Sequence, residues 1–395
     1  MMPFMSGLAP IGLAAIALAA ATACFLLVPR VVAAASNRVA LPAARPSVAP
    51  AARRLHETLR VADLHDDLLL WDRDPLRRSR AGHTDLPRLQ QGNVAVQVFS
   101  TVTRVPWRPD YERNAAGSDS IGVLAAASRW PRSTWRSPLA RALHQAAKLR
   151  RAEAASRGRL RVVTSRAELS AALDERARQA SGPRLVAAIL STEGLQALEG
   201  AAEHVDTLFR HGFRSAGLVH FSDNEVAGSA HGAARGGLTA LGREVIARME
   251  ELRMLVDVAH ASPRAIDDAL EIATRPVLVS HGGVQAICPG PRNLDDARLR
   301  RIADRGGLFG IGFWREAIGE VSVRGVARSV RHAVSVAGVA HVALGSDWDG
   351  AVRVAIGADR LPELTQALLD EGLREEEIRA VMGENAIRFL LDHLP

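Results

Sequence analysis

The sequence predicts an α/β protein built as a (β/α)8 barrel with a helical insertion. Short apolar or β-branched runs recur along residues 51–395, amphipathic helical stretches alternate with them, and the runs number eight. Alternating strands and helices need a parallel sheet, and eight such units suggest closure into a barrel. A doubly wound open sheet is the alternative architecture.

The composition is that of a folded, enzyme-sized chain. Its 395 residues are 48% hydrophobic and 24% charged, which excludes a disordered or fibrous protein. The formal net charge of +7 comes from arginines scattered along the chain, since Lys148 is the only lysine. No basic block is interleaved with aromatic residues, so we expect no nucleic-acid partner. The two cysteines, Cys24 and Cys288, make no disulfide framework.

Residues 1–36 are predicted to be a signal peptide or a membrane anchor. No charged side chain occurs before Arg30, and the run Ile11–Val28 is long enough to cross the hydrocarbon layer of about 30 Å. Cleavage near Ala33–Ala35 and retention as an anchor remain alternatives. Either version predicts an exported protein, periplasmic or extracellular, which is anchored to the cytoplasmic membrane if the segment is uncleaved. Residues 37–50, rich in Ala and Pro, are predicted to be a linker before a catalytic domain at 51–395.

The strands and helices of the barrel follow from these patterns in chain order. Residues 102–180 are too long for one crossover and are predicted to be an insertion, with its clearest helices at Ser118–Arg129 and Leu139–Arg157. The strands are predicted at 60–64, 94–99, 185–191, 215–219, 254–258, 276–280, 307–312 and 342–346. Later helices are predicted at Val245–Arg253, Pro263–Ala273, Asp295–Arg305 and Val323–Ala337.

Six of the predicted strands end in His, Asp or Glu. Catalytic groups of a barrel lie at these carboxyl ends, where the loops after the strands converge. A single histidine there is usually a hydrogen-bonded loop residue, whereas the joint pattern predicts a metal site. Imidazoles with carboxylates suit Zn²⁺ or a similar divalent ion, and a central glutamate could bridge two ions that hold a hydroxide. The residues are His65, Asp67, Glu193, His220, Asp257, His260, His281, Asp347 and Asp349.

These residues stand in motifs that resemble the renal or membrane dipeptidase family, zinc metallopeptidases of the amidohydrolase superfamily, across residues 55–392. The matching motifs are His65-x-Asp67, Leu86-Pro87-Arg88-Leu89 with Gln97-Val98-Phe99-Ser100, Glu193-Gly194, His220, Asp257-Val258-Ala259-His260, Ser280-His281, Arg292-Asn293, Gly345 to Gly350, and Gly383-Glu384-Asn385-Ala386. Each motif alone is weak, but together and in order they identify the family.

The resemblance implies a role for each site residue. His65 and Asp67 would bind one zinc ion, His260 and His281 the second, and Glu193 both. Asp347 would form a hydrogen bond with the water that bridges the two ions and would shuttle its proton. His220 would stabilise the oxyanion of the tetrahedral intermediate. Arg292 would bind the terminal carboxylate of the substrate. The implied activity is hydrolysis of dipeptides with a free C-terminal carboxylate, with two zinc ions per catalytic domain.

Three features depart from the family pattern or leave alternatives. Asp66 stands where many relatives have Asn, and the residues after His281 and after the seventh strand differ, so the substrate pocket is less certain than the metal set.

The alternatives are an amidohydrolase acting on another compact amide, such as a β-lactam or a modified dipeptide, and a non-catalytic binding barrel. Retention of Asp347 argues against a mere binding barrel. A homodimer is one alternative for the oligomeric state.

The histidines outside this set are predicted to be structural or surface residues. Only His231, in a Gly- and Ala-rich loop near His220, is a weaker case. The others are His56, His83, His144, His204, His211, His332, His341 and His393.

Overall fold

A computed structural model describes residues 27–40, 47–179 and 182–395. Its strands are β1 Arg38–Val39, β2 Val61–Asp66, β3 Val94–Phe99, β4 Leu160–Val162, β5 Val186–Thr192, β6 Phe213–Gly217, β7 Leu255–Asp257, β8 Leu278–Gly282, β9 Leu308–Ile311, β10 Val342–Leu344 and β11 Arg353–Val354. Its α-helices are Pro50–Glu57, Leu86–Gln91, Ser120–Ala127, Pro138–Ala155, Arg166–Arg178, His204–Arg210, Ala240–Glu251, Pro263–Ile272, Asp296–Asp304, Arg315–Ile318, Val323–Ala337, Leu361–Asp370, Glu375–Arg379 and Asn385–His393.

Eight parallel strands form a closed barrel. The pairing runs β2, β3, β5, β6, β7, β8, β9, β10 and back to β2, with the closing pair β10–β2 joining Leu344 to Asp63. Every residue of these strands is buried, because helices cover the outside and side chains fill the inside. All eight predicted strands are present, so the predicted (β/α)8 barrel is confirmed and the open sheet is wrong.

The ends of several elements differ from the prediction for local reasons. Strand β10 stops at Leu344, two residues early, because Gly345 and Ser346 leave the ladder to begin a site loop. The helix predicted at Val245–Arg253 begins at Ala240, where the Thr239 side chain accepts a hydrogen bond from the Gly242 backbone N–H. A capping hydroxyl thus starts the helix a turn before its apolar pattern becomes regular.

The insertion between β3 and β5 is mostly helical, as predicted, and contains one strand that was not predicted. Strand β4 pairs with the first residues of β5, beginning with Leu160 opposite Val186. Strand β6 pairs with β5 further along, from Leu190 onward. Three residues are too short a run to produce a readable period in sequence. The insertion is therefore joined to the barrel sheet by backbone hydrogen bonds.

The residues before the barrel pack against it. Residues 27–36 are helical, and β1 pairs in parallel with β11, which follows the last barrel strand. The Asn37 side chain also accepts a hydrogen bond from the Ala351 backbone N–H. The first residues of the predicted linker, 37–40, are thus held against the barrel, and strand pairing satisfies their backbone groups. The start of the domain at residue 51 otherwise stays a prediction.

The predicted apolar run Ile11–Val28 lies outside the described residues except for its last two positions. Within the ranges that the structure describes, no helix is both long and apolar enough to cross a bilayer.

Candidate metal centre

The seven predicted ligand and catalytic residues come together at one rim of the barrel. His65 is the penultimate residue of β2 and Asp67 directly follows that strand. Glu193 follows β5, and His281 lies in β8. His220, His260 and Asp347 follow β6, β7 and β10 within a few residues. All seven side chains are buried. They meet because the carboxyl ends of parallel barrel strands share one rim.

Glu193 is the centre of this cluster. Its Oε1 atom lies 2.9 Å from His260 Nε2, 3.3 Å from His281 Nε2 and 3.5 Å from His65 Nε2. Its other oxygen, Oε2, lies 3.3 Å from His220 Nε2. One carboxylate therefore faces four imidazoles.

The cluster divides into three overlapping groups of possible metal ligands. In each group the ligand atoms lie within 4.8 Å of one another. The groups are His65, Glu193 and His281; Glu193, His220 and His260; and His65, Asp67 and Asp347. Because Glu193 and His65 each belong to two groups, the geometry is that of one compact centre rather than of two separate sites.

The backbone at the strand ends is shaped to aim these side chains inward. His260 and Asp347 both have left-handed backbone conformations, with φ of 61° and 60°, which are unusual for non-glycine residues. Gly194, after Glu193, has φ of 83°, and a Cβ there would approach the His220 side chain to 3.0 Å. Such strain persists where the surrounding structure holds it in place, and it is concentrated at functional sites.

Polar groups behind the centre orient the ligands. The Ser280 hydroxyl lies 2.9 Å from His281 Nδ1 and 3.4 Å from His65 Nδ1, so both rings direct Nε2 toward Glu193. The buried Asp63 carboxylate accepts hydrogen bonds from the backbone N–H groups of His65 and Ser346. It also accepts one from the Gln97 side chain. These contacts join the ends of β2, β3 and β10.

Burial and mutual repulsion give the centre unusual proton affinities. Burial raises the pKa of Glu193 and Asp347 well above the usual range, and nearby Asp67 adds to both shifts. Burial lowers the pKa of His65, but the charges of Asp67 and Glu193 together outweigh it and raise the value to about 10. Burial, with His231 and His65 nearby, lowers the pKa of His220 to about 3. Burial also lowers the pKa of His260 and His281 well below the usual value.

These residues fit a divalent metal. Three carboxyl groups are buried beside the imidazoles of His220, His260 and His281, which burial keeps neutral. The buried atoms His65 Nε2 and Asp67 Oδ1 have no hydrogen-bond partner. The Nε2 atoms of His260 and His281 are only 2.9 Å apart. Uncompensated carboxylates and converging ring nitrogens are unfavourable in a dry site, whereas a bound cation neutralises the first and accepts lone pairs from the second.

Arg292, the predicted carboxylate ligand of the substrate, lies behind His281. One guanidinium N–H donates to the His281 backbone carbonyl over 2.6 Å, and the buried Nε has no partner. Burial raises the pKa of both Asp347 and Glu193, and the positive charge of Arg292 opposes part of that rise. It is thus close enough to act on the centre electrostatically, although it does not belong to the ligand groups.

His231, the histidine for which the sequence supports a purely structural role least, is buried beside the centre. Its Nδ1 lies 2.7 Å from the Tyr111 carbonyl, and its ring stacks on Phe221 and lies 5.3 Å from the His260 ring. It belongs to none of the ligand groups found among the described residues. His56 and His83 are also buried, and their ring nitrogens contact groups outside the cluster.

Two supporting residues escaped the sequence prediction of functional residues. The sequence marks Ser280 only as a neighbour of His281, and Asp63 only as part of the first strand. A signal existed for Asp63, because a carboxylate in the middle of an apolar strand needs several hydrogen-bond donors to be buried. Nothing comparable marks Ser280, whose role depends on the distance between two rings.

Comparison with known proteins agrees with this geometry. Residues 50–392 match the family described as Membrane dipeptidase (Peptidase family M19). Dipeptidase aclJ of Aspergillus oryzae is 30% identical over 220 residues, which cover 53% of this chain and 52% of that protein. The chain thus spans about half the length of this relative.

Two solved structures have the same fold. A metallo peptidase from Rhodobacter sphaeroides, liganded with a phosphinate mimic of the dipeptide L-Ala-D-Ala, superposes with a TM-score of 0.68 at 24% identity. The match covers 86% of this chain and all of that one. The dipeptidase AC, also a metallo peptidase, gives a TM-score of 0.68 at 25% identity over 85% of this chain and 99% of its own. Since the family match covers most of the sequence, this chain belongs to the membrane dipeptidase family, Peptidase family M19, and is a metallopeptidase.

Proposed function

We propose that this protein is a zinc-dependent dipeptidase that hydrolyses dipeptides with a free C-terminal carboxylate and uses two zinc ions per catalytic domain. The single observation that carries the proposal is the convergence of three imidazole Nε2 atoms on one oxygen of Glu193. A binding barrel has no need of such a centre with a buried carboxylate, Asp347, beside it.

Five residues would hold the metal. His65 and Asp67 would ligate one ion, His260 and His281 the other, and Glu193 both. When bound, the ions supply an activated water nucleophile and polarise the scissile carbonyl. Ser280 fixes the orientation of the His65 and His281 rings, since its hydroxyl contacts Nδ1 of both.

Asp347 and His220 would serve the reacting atoms. Asp347 groups with His65 and Asp67, so its carboxylate can accept a proton from the attacking water and pass it to the departing amine. The lowered pKa of His220 keeps this imidazole neutral at physiological pH. A neutral imidazole can donate one hydrogen bond to the developing oxyanion without carrying a charge into the dry site.

Arg292 would recognise the free carboxylate of the substrate. Its guanidinium is buried, and one of its N–H groups is already held by the His281 carbonyl. A fixed cation close to the centre favours a short substrate, because the carboxylate of a longer peptide would lie too far away.

The test combines metal analysis with substrate variation. We expect about two zinc ions per purified chain and cleavage of dipeptides, with an amidated C-terminus reducing kcat/KM strongly. Arg292→Ala should raise KM for free dipeptides and change cleavage of the amidated ones little. Only trace metal in active enzyme would contradict the zinc centre.

The same assay separates the other candidate activities. Equal cleavage of free and amidated dipeptides would exclude the carboxylate contact and favour another compact amide. Hydrolysis of a β-lactam but of no dipeptide would favour the related amidohydrolase. Tight metal binding without turnover of either class would favour a binding barrel.

We further propose that residues 1–36 direct export, because the uncharged start of the chain is long enough to enter a bilayer. A reporter fused after residue 40 should be active outside the cytoplasmic membrane. Activity confined to the cytoplasm would contradict export.

A further inference from the structure

A large cavity of about 760 Å³ opens from the metal centre. At its inner end lie polar residues of the centre, including Asp67, Glu193 and Asp347. Volumes of about 300–1,000 Å³ are typical of sites that enclose drug-sized ligands. An unsubstituted dipeptide is much smaller than such a ligand, so the cavity has room for more than two small residues.

Outside the metal centre the cavity lining is mostly apolar, and its charged members are Arg315, Glu316 and Arg353. Most of its lining comes from the insertion between β3 and β5, from the loop after Asp67 and from the N-terminal helix, residues 27–36. The principal apolar lining residues are Val28, Val32, Leu70, Trp71, Val102, Trp107, Ile121, Val123 and Leu124. A charged substituent would be poorly solvated against this wall, whereas an apolar one would gain by leaving water.

This wall has a hydrophobic cluster of its own, separate from the barrel core. Ala33 of the N-terminal helix packs there with Trp71, Ile121 and Trp130. Because Ala33 is one turn from Pro29, which is also buried, this helix face rests on the insertion. The adjacent face, with Val28 and Val32, lines the cavity.

The exposed apolar side chains gather at the mouth of this cavity. Among the described residues, the large apolar side chains that are exposed are Leu27, Val28, Val31, Val32, Trp107, Val123 and Trp135. Four of these seven line the cavity, on both of its sides. Apolar residues at the rim of a site mark a surface that a ligand covers.

We propose that this cavity is a specificity site for a large apolar substituent on the substrate, and that the N-terminal helix, residues 27–36, forms one of its walls. The inference rests on the proposed dipeptidase function, because it takes the scissile amide to lie at the centre. The preferred substrate is then a dipeptide-like amide that carries a long alkyl or similarly bulky apolar group. This wall requires that residues 27–36 are retained in the mature protein, so of the two versions of the export segment it goes with the uncleaved one.

Two series of dipeptides test the proposal. In one series the first residue, and in the other the second, carries a straight alkyl side chain that grows from methyl to hexyl, while the remaining residue is alanine. In one of the series kcat/KM should rise about three- to fourfold per added methylene, the factor expected for burying a CH₂ group. A flat profile in both series, with Ala-Ala still hydrolysed, would overturn the specificity site and leave the dipeptidase function intact.

Matched variants test the wall. Val28→Asp, Val32→Asp and Val123→Asp should each flatten the rise with chain length. Val31→Asp is the control, because Val31 is 63% exposed on the same helix and does not line the cavity. It should keep the parent profile. Equal effects of Val31→Asp and Val32→Asp would overturn the assignment of the helix as a wall.

A binding measurement keeps the test independent of turnover. N-phenyl-1-naphthylamine, an uncharged fluorescent apolar probe, should bind the full chain and Val31→Asp with similar affinity and bind Val32→Asp about tenfold more weakly. If no dipeptide is cleaved but this difference is found, the proposed function fails while the apolar site stands. If the probe binds all three proteins equally, the apolar site is wrong.

Discussion

Two groups of buried histidines in this protein behave differently. His56, in the helix Pro50–Glu57, is 3% exposed, much like His260 at 5% and His281 at 1%. Its Nδ1 lies 2.9 Å from the Thr365 hydroxyl and its Nε2 lies 3.1 Å from the Gly92 carbonyl. A carbonyl only accepts, so Nε2 carries the proton and Nδ1 accepts from Thr365. The needs of a neutral imidazole are fully met.

In the metal centre the ring nitrogens are not matched with hydrogen-bond donors and acceptors in this way. There the Nε2 atoms of His65, His260 and His281 face one carboxylate oxygen, and two of them face each other at 2.9 Å. Burial alone therefore does not identify a functional histidine. Convergence of several ring nitrogens on one buried carboxylate does, because a bound divalent cation can accept the lone pairs of all of them.

The largest effect is expected from the carboxylate beside the centre. Asp347→Asn keeps the size of the side chain but removes the proton acceptor, so kcat should fall by about 10²- to 10⁴-fold. Metal content, measured by elemental analysis, should stay at the parent value. The exposed Asp304→Asn is the control. A kcat within a few fold of the parent would exclude Asp347 as the proton acceptor.

The second prediction separates the two groups of histidines directly. His281→Gln should weaken metal binding by more than about 100-fold, since outer-shell changes alone cost 10- to 100-fold. His56→Gln should leave metal binding unchanged and lower the free energy of unfolding by about 1–3 kcal/mol, because a buried hydrogen bond is disturbed. Metal titration and urea unfolding measure the two effects. Metal loss in His56→Gln would remove the distinction.

The third prediction concerns pH. Burial lowers the pKa of His56 to about 4, although the Gly92 hydrogen bond opposes the shift. Because the unfolded chain has a pKa near 6.5, this histidine stabilises the fold fully above pH 6.5 and loses that contribution as the pH falls to about 4. The loss should amount to about 3 kcal/mol. Between pH 6.5 and about 4, the free energy of unfolding should fall less in His56→Gln than in the parent protein, by about the amount that His56 contributes. Parallel pH profiles of the two proteins would contradict the role given to His56.

The smallest effect is expected at Lys148, which combines features of both regions. Its ammonium group donates to the backbone carbonyls of Leu69 and Trp71, just after Asp67, a proposed metal ligand. It is satisfied like His56 but lies near the centre. Lys148→Met should lower the free energy of unfolding by about 1–2 kcal/mol, since two carbonyls lose a donor. Metal affinity should change less than about threefold, and a larger change would make Lys148 a positioning residue of the centre.

Much of the fold was predictable from local patterns. Buried parallel strands are continuous apolar runs and covering helices are amphipathic, so all eight barrel strands could be read from residue order. Strand β4 and the pairing of β1 with β11 could not. They depend on a few backbone groups finding partners more than twenty residues away, which no local period records.

The metal centre divides in the same way. The sequence by itself determined which residues meet, because His65, Glu193, His281 and their companions follow strands, and the carboxyl ends of barrel strands share one rim. Only the tertiary structure decided how they meet, with Glu193 facing four rings and Ser280 between two. It alone placed Val28 and Val32 in the wall of the cavity that opens from that centre. Side-chain type and strand order are local properties, whereas distances between rings and the shape of a cavity result from packing among segments far apart in the chain.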